Sequence, residues 1–119
     1  MQTNAALRQL AEETWGERVM RARKQSGLTL QQAAEVVSQL SHTTHTTVLR
    51  LERSSDIPSE PRRRALAYFT AIAYGVEPSS FGLDDRDLPR GIAPESARSV
   101  LLEAREQAIT TSACIQEAA

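Results

Sequence analysis

Hydroxyl, imidazole and guanidinium groups lie close together in one short part of this chain, so we consider their chemistry first. Thr44, His45, Thr46, Thr47 and Arg50 fall within seven consecutive residues. These side chains donate and accept hydrogen bonds, and Arg also carries a permanent positive charge. The group is therefore suited to recognising a polar or anionic partner.

Catalysis and metal binding are other uses of these residue types, and the sequence argues against both. Ser, His and Asp are present, but there is no nucleophile elbow, no glycine-rich phosphate loop and no pair of acids at an enclosed cavity. His42 and His45 lie three residues apart without a second cysteine or a carboxylate cluster nearby, and two neutral ligands bind metal weakly. We expect no enzyme activity, no metal and no cofactor.

Length and composition predict a small cytoplasmic protein. The 119 residues, 40% hydrophobic and 24% charged, suit one compact core or a small domain with an appended helix. No apolar run approaches the roughly 20 residues of a membrane helix, and the first residues lack a signal-peptide pattern. The single cysteine, Cys114, allows no internal disulfide, and we interpret it as a small apolar residue or a tail thiol.

The charges are unevenly distributed although the formal net charge is -1. Residues 17–66 contain nine basic and five acidic side chains, whereas residues 67–119 contain four basic and eight acidic ones. A basic segment of this kind suggests contact with a polyanion, and a merely solvated basic face would give the same count. Nucleic acid therefore stays open as a partner.

Caps and glycines divide the sequence into helices, and no alternating pattern is long enough for a sheet. Two pairs have the spacing of a capping box: Thr14 with Glu17, and Thr29 with Gln32. Gly27 ends the helix that begins after Thr14. An all-α fold is therefore predicted. The expected helices span residues 15–26, 30–40, 45–53, 59–74 and 94 onward, with a short helical turn at 78–81.

The third expected helix is short and has two different faces. Val48 and Leu51 point inward on helical spacing. The opposite side carries Thr46, Leu49, Arg50 and Arg53. Because a leucine that faces outward has no core to fill, we expect this side to meet another molecule.

Composition divides the chain into four parts. Residues 1–13 form an N-terminal extension that can include a short helix, residues 14–83 form the main domain, and residues 84–93 are a polar connector with Pro and Gly. The C-terminal helix, 94–119, has apolar residues at spacings of four and three, which form a seam. They are Ala97, Leu101, Ala104 and Ala108. This seam either packs on the core of the same chain, or forms a homodimer contact, or the helix frays.

Two helices joined by a short polar turn are typical of the helix-turn-helix arrangement. The sequences RKQSGLTLQQAA at 23–34, THTTVLRLE at 44–52 and AYGVEP at 73–78 resemble the phage Cro/CI repressor (xenobiotic-response-element) helix-turn-helix family. The resemblance covers roughly residues 15–83. It implies a five-helix lambda-repressor-like domain, here followed by the C-terminal helix.

The resemblance also implies a function. It suggests a sequence-specific transcriptional regulator of phage or bacterial origin, repressor or Cro-like, that binds double-stranded DNA. A homodimer would bind an operator whose two half-sites lie about one helical turn apart, with the helix at about 45–53 in the major groove. The protein would then be found in the cytoplasm or nucleoid of the bacterial host cell.

The family's functional residues carry over to positions in this sequence. Its base-reading positions fall on His45, Thr46, Leu49 and Arg50, and arginine pairs well with guanine. Phosphate contacts are expected from Thr44, Thr47, Gln31, Arg62, Arg63 and Arg64. The last three begin the fourth helix, where cations oppose the helix dipole unless a phosphate is bound. The family implies a structural pair, Arg23 with Glu52, between the first and third helices.

Three features depart from the family pattern. The segment between Ala34 and Thr44 is about one helical turn longer than usual, so either the second helix is longer or the turn is wider. Leu30 stands where many members have a glutamine that binds a phosphate, and Ser54 stands where a glycine often ends the third helix. The extra length leaves the docking angle on DNA open.

A protein-binding module is the alternative from another class. The same scaffold could act as an antitoxin or regulatory partner and hold another protein through the helix at 94–115, which lies in the acidic region. In that case we expect alanine at Arg50 to leave the cellular effect intact, and alanine at Leu101 to abolish it.

Overall fold

The computed structural model describes residues 13–118, and side chains from 13 to 110. Within this part of the chain every regular element is helical, which confirms the all-α prediction. The short helix expected in the N-terminal extension lies outside the described residues, as does the side chain of Cys114.

The described part of the chain contains five α-helices and two short 3-10 turns. The helices are α1 (Trp15–Ser26), α2 (Leu30–Val37), α3 (His45–Glu52), α4 (Pro61–Ala73) and α5 (Pro94–Ala118). The 3-10 turns, Pro78–Phe81 and Asp85–Asp87, lie between α4 and α5. None of the helices that the structure describes has the length and apolar character needed to cross a membrane.

Local signals explain where α1 ends and α2 begins. Gly27 has a φ of 82° and ends α1 in the left-handed conformation that glycine favours. Thr29 and Gln32 form the reciprocal capping box, because the Gln32 amide donates to Thr29 Oγ1 at 3.1 Å and the Thr29 amide donates to Gln32 Oε1 at 2.9 Å. The turn between these two helices is therefore short and specified by its own residues.

The second helix ends earlier than the sequence predicts. Its last residue is Val37 and not Leu40. One further turn follows, in which the Leu40 amide donates to the carbonyl of Val37 at 3.0 Å. The residues from Ser38 to Thr44 thus belong to the turn between α2 and α3 and not to the helix.

Helix α4 lies at the centre of the molecule. Each of its residues from Ala65 to Ala73 is buried, so neighbours cover it on all sides. Helices α2 and α5 pack against it, whereas α3 packs against α1 and α2. This arrangement keeps α3 at one side of the molecule, on a base of two helices.

Helix α5 packs against α2 and α4 of the same chain. Ala97 and Leu101 are completely buried in the common core, and Ala104 and Ala108 are half-buried against it. The assignment of Ala97 and Leu101 to a dimer seam is therefore wrong, because their own chain covers them completely, whereas for the half-buried Ala104 and Ala108 it stays a prediction. The intramolecular alternative is the one that the structure adopts.

Candidate nucleic-acid interface

The C-terminal end of α3 is fixed by the beginning of α1. The backbone amides of Trp15 and Gly16 donate to the carbonyls of Ser55 and Ser54, at 3.1 and 2.8 Å. A Cβ atom on Gly16 would lie only 2.2 Å from the carbonyl oxygen of Glu52. The sequence reasoning missed Gly16, and a glycine in the first turn of a helix is the signal that could have pointed to this close approach.

A buried ion pair joins the same end of α3 to the C-terminal part of α1. Arg23 Nε donates to both carboxylate oxygens of Glu52 at 3.2 Å, and its Nη2 donates to Oε1 at 3.1 Å. Arg23 Nη1 also donates to the carbonyl of Leu28 at 3.2 Å, which ties in the turn before α2. The structural pair that the resemblance implies is thus formed, with the Glu52 side chain 2% exposed.

The N-terminal end of α3 is positioned by a polar brace across the wide turn. Ser38 Oγ donates to the Thr43 carbonyl at 2.9 Å and accepts the Thr43 amide at 3.0 Å. The Thr43 hydroxyl is buried and donates to the carbonyl of Ser41 at 2.7 Å. Ser38 falls inside the expected helix 30–40, and the sequence did not predict its bonds to Thr43, because a bond between residues five apart has no simple spacing signature.

The two threonines that were expected to contact phosphate, Thr44 and Thr47, are bonded to each other at the N-cap of α3. Thr44 Oγ1 accepts the Thr47 amide at 3.4 Å, and the two hydroxyl oxygens are 3.1 Å apart. Thr44 is exposed and Thr47 is half-buried. One hydroxyl proton at this pair remains free to point outward, because the contact between the hydroxyls uses only one of them.

The outward side of α3 is polar and positively charged. His45, Thr46, Arg50 and Arg53 are exposed, whereas Val48, Leu51 and Glu52 are buried. The guanidinium groups of Arg50 and Arg53 form no ion pair with any residue that the structure describes. Leu49 is half-buried and not fully outward, so part of its surface already contacts its own chain.

A shallow groove runs from α2 to the start of α3. Gln31, Glu35, Gln39 and His45 are among the residues that line it, and Gln31 is exposed as its proposed contact requires. The exposed carboxylate of Glu35 adds a negative charge here. An anionic ligand would therefore be favoured at the Arg50 end of α3 more than at its N-terminal end.

Two of the three arginines that begin α4 are available to an anion. Arg62 and Arg63 are exposed, and Arg63 has only a loose pair with the exposed carboxylate of Glu60, at 3.7 Å. Glu60 occupies the N-cap without a side-chain hydrogen bond to the helix. The first turn of α4 thus combines cationic side chains with an uncapped positive dipole end.

The third arginine, Arg64, has a different role from the one expected. Its Nε and Nη2 donate to Asp87 at 2.6 and 3.3 Å, and its Nη1 donates to the Pro58 carbonyl at 3.1 Å. The hydrogen bond from Arg64 lowers the pKa of Asp87, and the same bond raises the pKa of Arg64. Its assignment to a DNA phosphate is wrong, because Nε and Nη2 already hold α4 to the second 3-10 turn and Nη1 holds the helix to the loop that precedes it.

Comparison of the chain with protein-family models, with curated proteins and with solved structures found no match. Among the residues that the structure describes, no three or more His, Cys, Asp or Glu side chains are grouped so that they could hold a metal ion. The geometry of α3 and of the first turn of α4 therefore carries the functional interpretation.

Proposed function

We propose that this protein is a sequence-specific transcriptional regulator that binds double-stranded DNA, with α3 in the major groove. The observation that carries the proposal is the exposed polar side of α3 on a helix that is fixed at both ends. Within this proposal, α2 and α3 form the helix-turn-helix, and α1 to α4 with the 3-10 turn at Pro78–Phe81 form a lambda-repressor-like domain.

The proposed base-reading residues are His45, Thr46 and Arg50. Their exposure leaves them free to reach base edges, and the guanidinium of Arg50, which has no ion pair among the described residues, suits a bidentate contact with guanine. The half-buried Leu49 would contribute a smaller apolar contact. Fixed ends support this role, because a recognition helix must hold its side chains in register with the base pairs.

The proposed phosphate contacts are Arg62 and Arg63, with Thr44, Thr47 and Gln31 as neutral donors. A phosphate at the first turn of α4 would satisfy the cationic side chains and the uncapped dipole end together. These contacts would set affinity and its dependence on salt, whereas the residues on α3 would set the sequence preference.

The main experiment is selection of binding sites from random duplexes, followed by titration of the selected site and of a random duplex. We expect Arg50→Ala to reduce the preference for the selected site by about 1–3 kcal/mol. Arg63→Ala should weaken binding to both duplexes equally and lower the salt slope by about one. Arg98→Ala, which removes an α5 arginine paired with Glu77 at 3.1 Å, serves as the control of equal charge change.

Two results would argue against the proposal. Selection that enriches no site would remove sequence-specific DNA binding and favour a protein partner. Equal behaviour of the Arg50→Ala and Arg63→Ala variants would remove the division between base-reading and phosphate-binding residues.

A protein contact at α5 is the second candidate function. Val100, Leu102 and Ile109, all on α5, are the exposed large hydrophobic residues of the described side chains. Leu102 and Ile109 are two helical turns apart and share a face. This face, and not the buried seam, would join two copies in the proposed homodimer or hold another protein.

Light scattering of a Leu102→Glu and Ile109→Glu double variant tests this face. If the wild-type protein is a dimer through α5, the variant should have half its mass at the same concentration. A mass that equals that of the wild type would contradict the homodimer contact at this face. Leu101 is unsuitable for this test because it is buried within its own chain.

A further inference from the structure

A cavity of about 580 Å³ opens between the first turn of α4, the α2–α3 turn and the segment around Asp87. Small-molecule sites have volumes of about 300–1,000 Å³. Apolar side chains form much of the wall, among them Leu66 and Phe69 of α4 with Leu88 and Pro89. The cavity is thus large enough for a small organic molecule and has an apolar surface for it.

The charge at this cavity is positive. Arg62, Arg64 and Arg86 line it together with one acid, Asp87. Arg64 is already neutralised by Asp87, at 2.6 Å. Arg62 and Arg86 are exposed and form no ion pair within the described part of the chain. Two unpaired guanidinium groups therefore stand beside an apolar wall.

We propose that this cavity binds a small molecule that combines an apolar ring system with a carboxylate. The ring would cover the accessible part of the wall at Leu88 and Pro89, above the buried side chains of Leu66 and Phe69, and the carboxylate would accept hydrogen bonds from Arg62 and Arg86. A neutral apolar molecule would leave both guanidinium groups without a partner, and a small inorganic anion would leave the apolar wall in contact with water. Only a molecule with both an apolar ring and a negative charge matches the apolar wall and the two guanidinium groups together.

The cavity shares Arg62 with the proposed phosphate contacts, but binding of the small molecule does not require DNA. Binding of the small molecule is measured on the full chain without DNA. If the selection experiment enriches no DNA site, we still expect the cavity to bind the small molecule. Failure of this proposal and failure of the proposed function are thus separate results.

The test is titration of the isotope-labelled protein with naphthoate, followed by amide resonances. We expect saturable shifts confined to Ser41 and to residues 62–69 and 85–88, the amides that lie along the cavity. Acetate, which keeps the carboxylate and lacks the ring, and naphthyl methanol, which keeps the ring and lacks the charge, should each bind at least about tenfold more weakly.

Arg86→Gln is the decisive variant, because Arg86 is exposed and its side chain forms no hydrogen bond or ion pair with the residues that the structure describes. It should weaken naphthoate binding about tenfold. Arg18→Gln, the same charge change at an exposed position of α1 outside the cavity, should leave that binding unchanged.

Equal affinities of the two variants, shifts scattered over the surface, or naphthoate bound no better than acetate would overturn the proposal. Cavity resonances that respond to protein concentration and not to naphthoate would also overturn it, because they would identify a second copy of the chain as the occupant.

Discussion

Gly16 lies in the first turn of α1 at a point where a side chain has no room. A Cβ atom there would be 2.2 Å from the carbonyl oxygen of Glu52 and 2.5 Å from that of Ser54. Gly16→Ala should therefore lower the free energy of unfolding by about 1–3 kcal/mol or more, although alanine is the better helix former. Denaturant titration measures the change.

The matched control is Arg18→Ala, two residues along the same helix at an exposed position. Its effect on the free energy of unfolding should stay within about 0.5 kcal/mol. Equal effects of the two variants would contradict the close approach of α1 to the end of α3.

Two buried tyrosines differ in the partner of their hydroxyl group. Tyr68 donates to Asp85 Oδ1 at 2.8 Å, whereas the hydroxyl of Tyr74 is buried without a partner among the described residues. Tyr68→Phe should cost about 1 kcal/mol of stability, and Tyr74→Phe should cost nothing or be stabilising. Thermal unfolding measures the stability of the two variants. An equal loss of stability in both would contradict the difference between the two hydroxyl groups.

The hydrogen-bonded tyrosine, Tyr68, predicts that the stability of the protein falls at alkaline pH. Burial and the bond to Asp85 raise the pKa of Tyr68 from 10.0 to about 12. The neutral phenol is favoured by folding, so its contribution is complete below pH 10.0 and is lost as the pH rises through about 12. In denaturant titrations across this range, Tyr68→Phe should lose less stability than the wild type. An equal loss would assign the alkaline response to other groups.

At the scale of elements, the wide turn between α2 and α3 depends on the Ser38 hydroxyl. Ser38→Ala removes both bonds to Thr43 and should cost about 1–2 kcal/mol. It should also reduce the preference for a selected duplex without changing the net charge, because the start of α3 loses its brace. Ser41→Ala is the control, since Ser41 accepts the Thr43 hydroxyl through its backbone carbonyl; equal losses in both variants would contradict the brace.

The attachment of α4 to the second 3-10 turn predicts a response to acid. The bond from Arg64 lowers the pKa of Asp87 below its ordinary value of 3.8. Its contribution to stability is therefore present above pH 3.8 and is lost as the pH falls through the lowered pKa. Asp87→Asn should be less stable at neutral pH and should lose less stability in acid, as measured by urea titration at several pH values.

The control for this prediction is Asp56→Asn, at an exposed carboxylate without an ion pair among the described residues. It should keep the acid response of the wild type. An acid response in Asp87→Asn that equals that of the wild type would show that this pair contributes little.

At the scale of the whole molecule, α5 is part of the single core. Leu101→Ala should destabilise the protein by about 2–5 kcal/mol, because Leu101 is completely buried. Leu102→Ala removes the same atoms from a side chain that is 39% exposed and should cost far less. Calorimetry of both variants makes the comparison, and similar losses would contradict the packing of α5 on α2 and α4.

Much of the fold could be predicted from short-range signals. Gly27 ends α1, and Thr29 with Gln32 begins α2, because caps and left-handed glycines act within a few residues. The outward position of Arg50 likewise follows from helical spacing against Val48 and Leu51. On these grounds the sequence by itself determined the all-α class, most helix boundaries and the two-faced character of α3.

Only the tertiary structure decided which long-range partner each exposed or apolar group would find. Arg64 could face a phosphate or an acid until the packing brought Asp87 within 2.6 Å. The apolar residues of α5 could have packed on the core of their own chain or on a second copy of the protein. The hydrophobic effect is not directional, and helical periodicity does not show which surface will cover the apolar side of a helix. The glycine at position 16 is a local sign of a close approach, but the carbonyl that approaches it lies 36 residues away, and no local pattern identifies that partner.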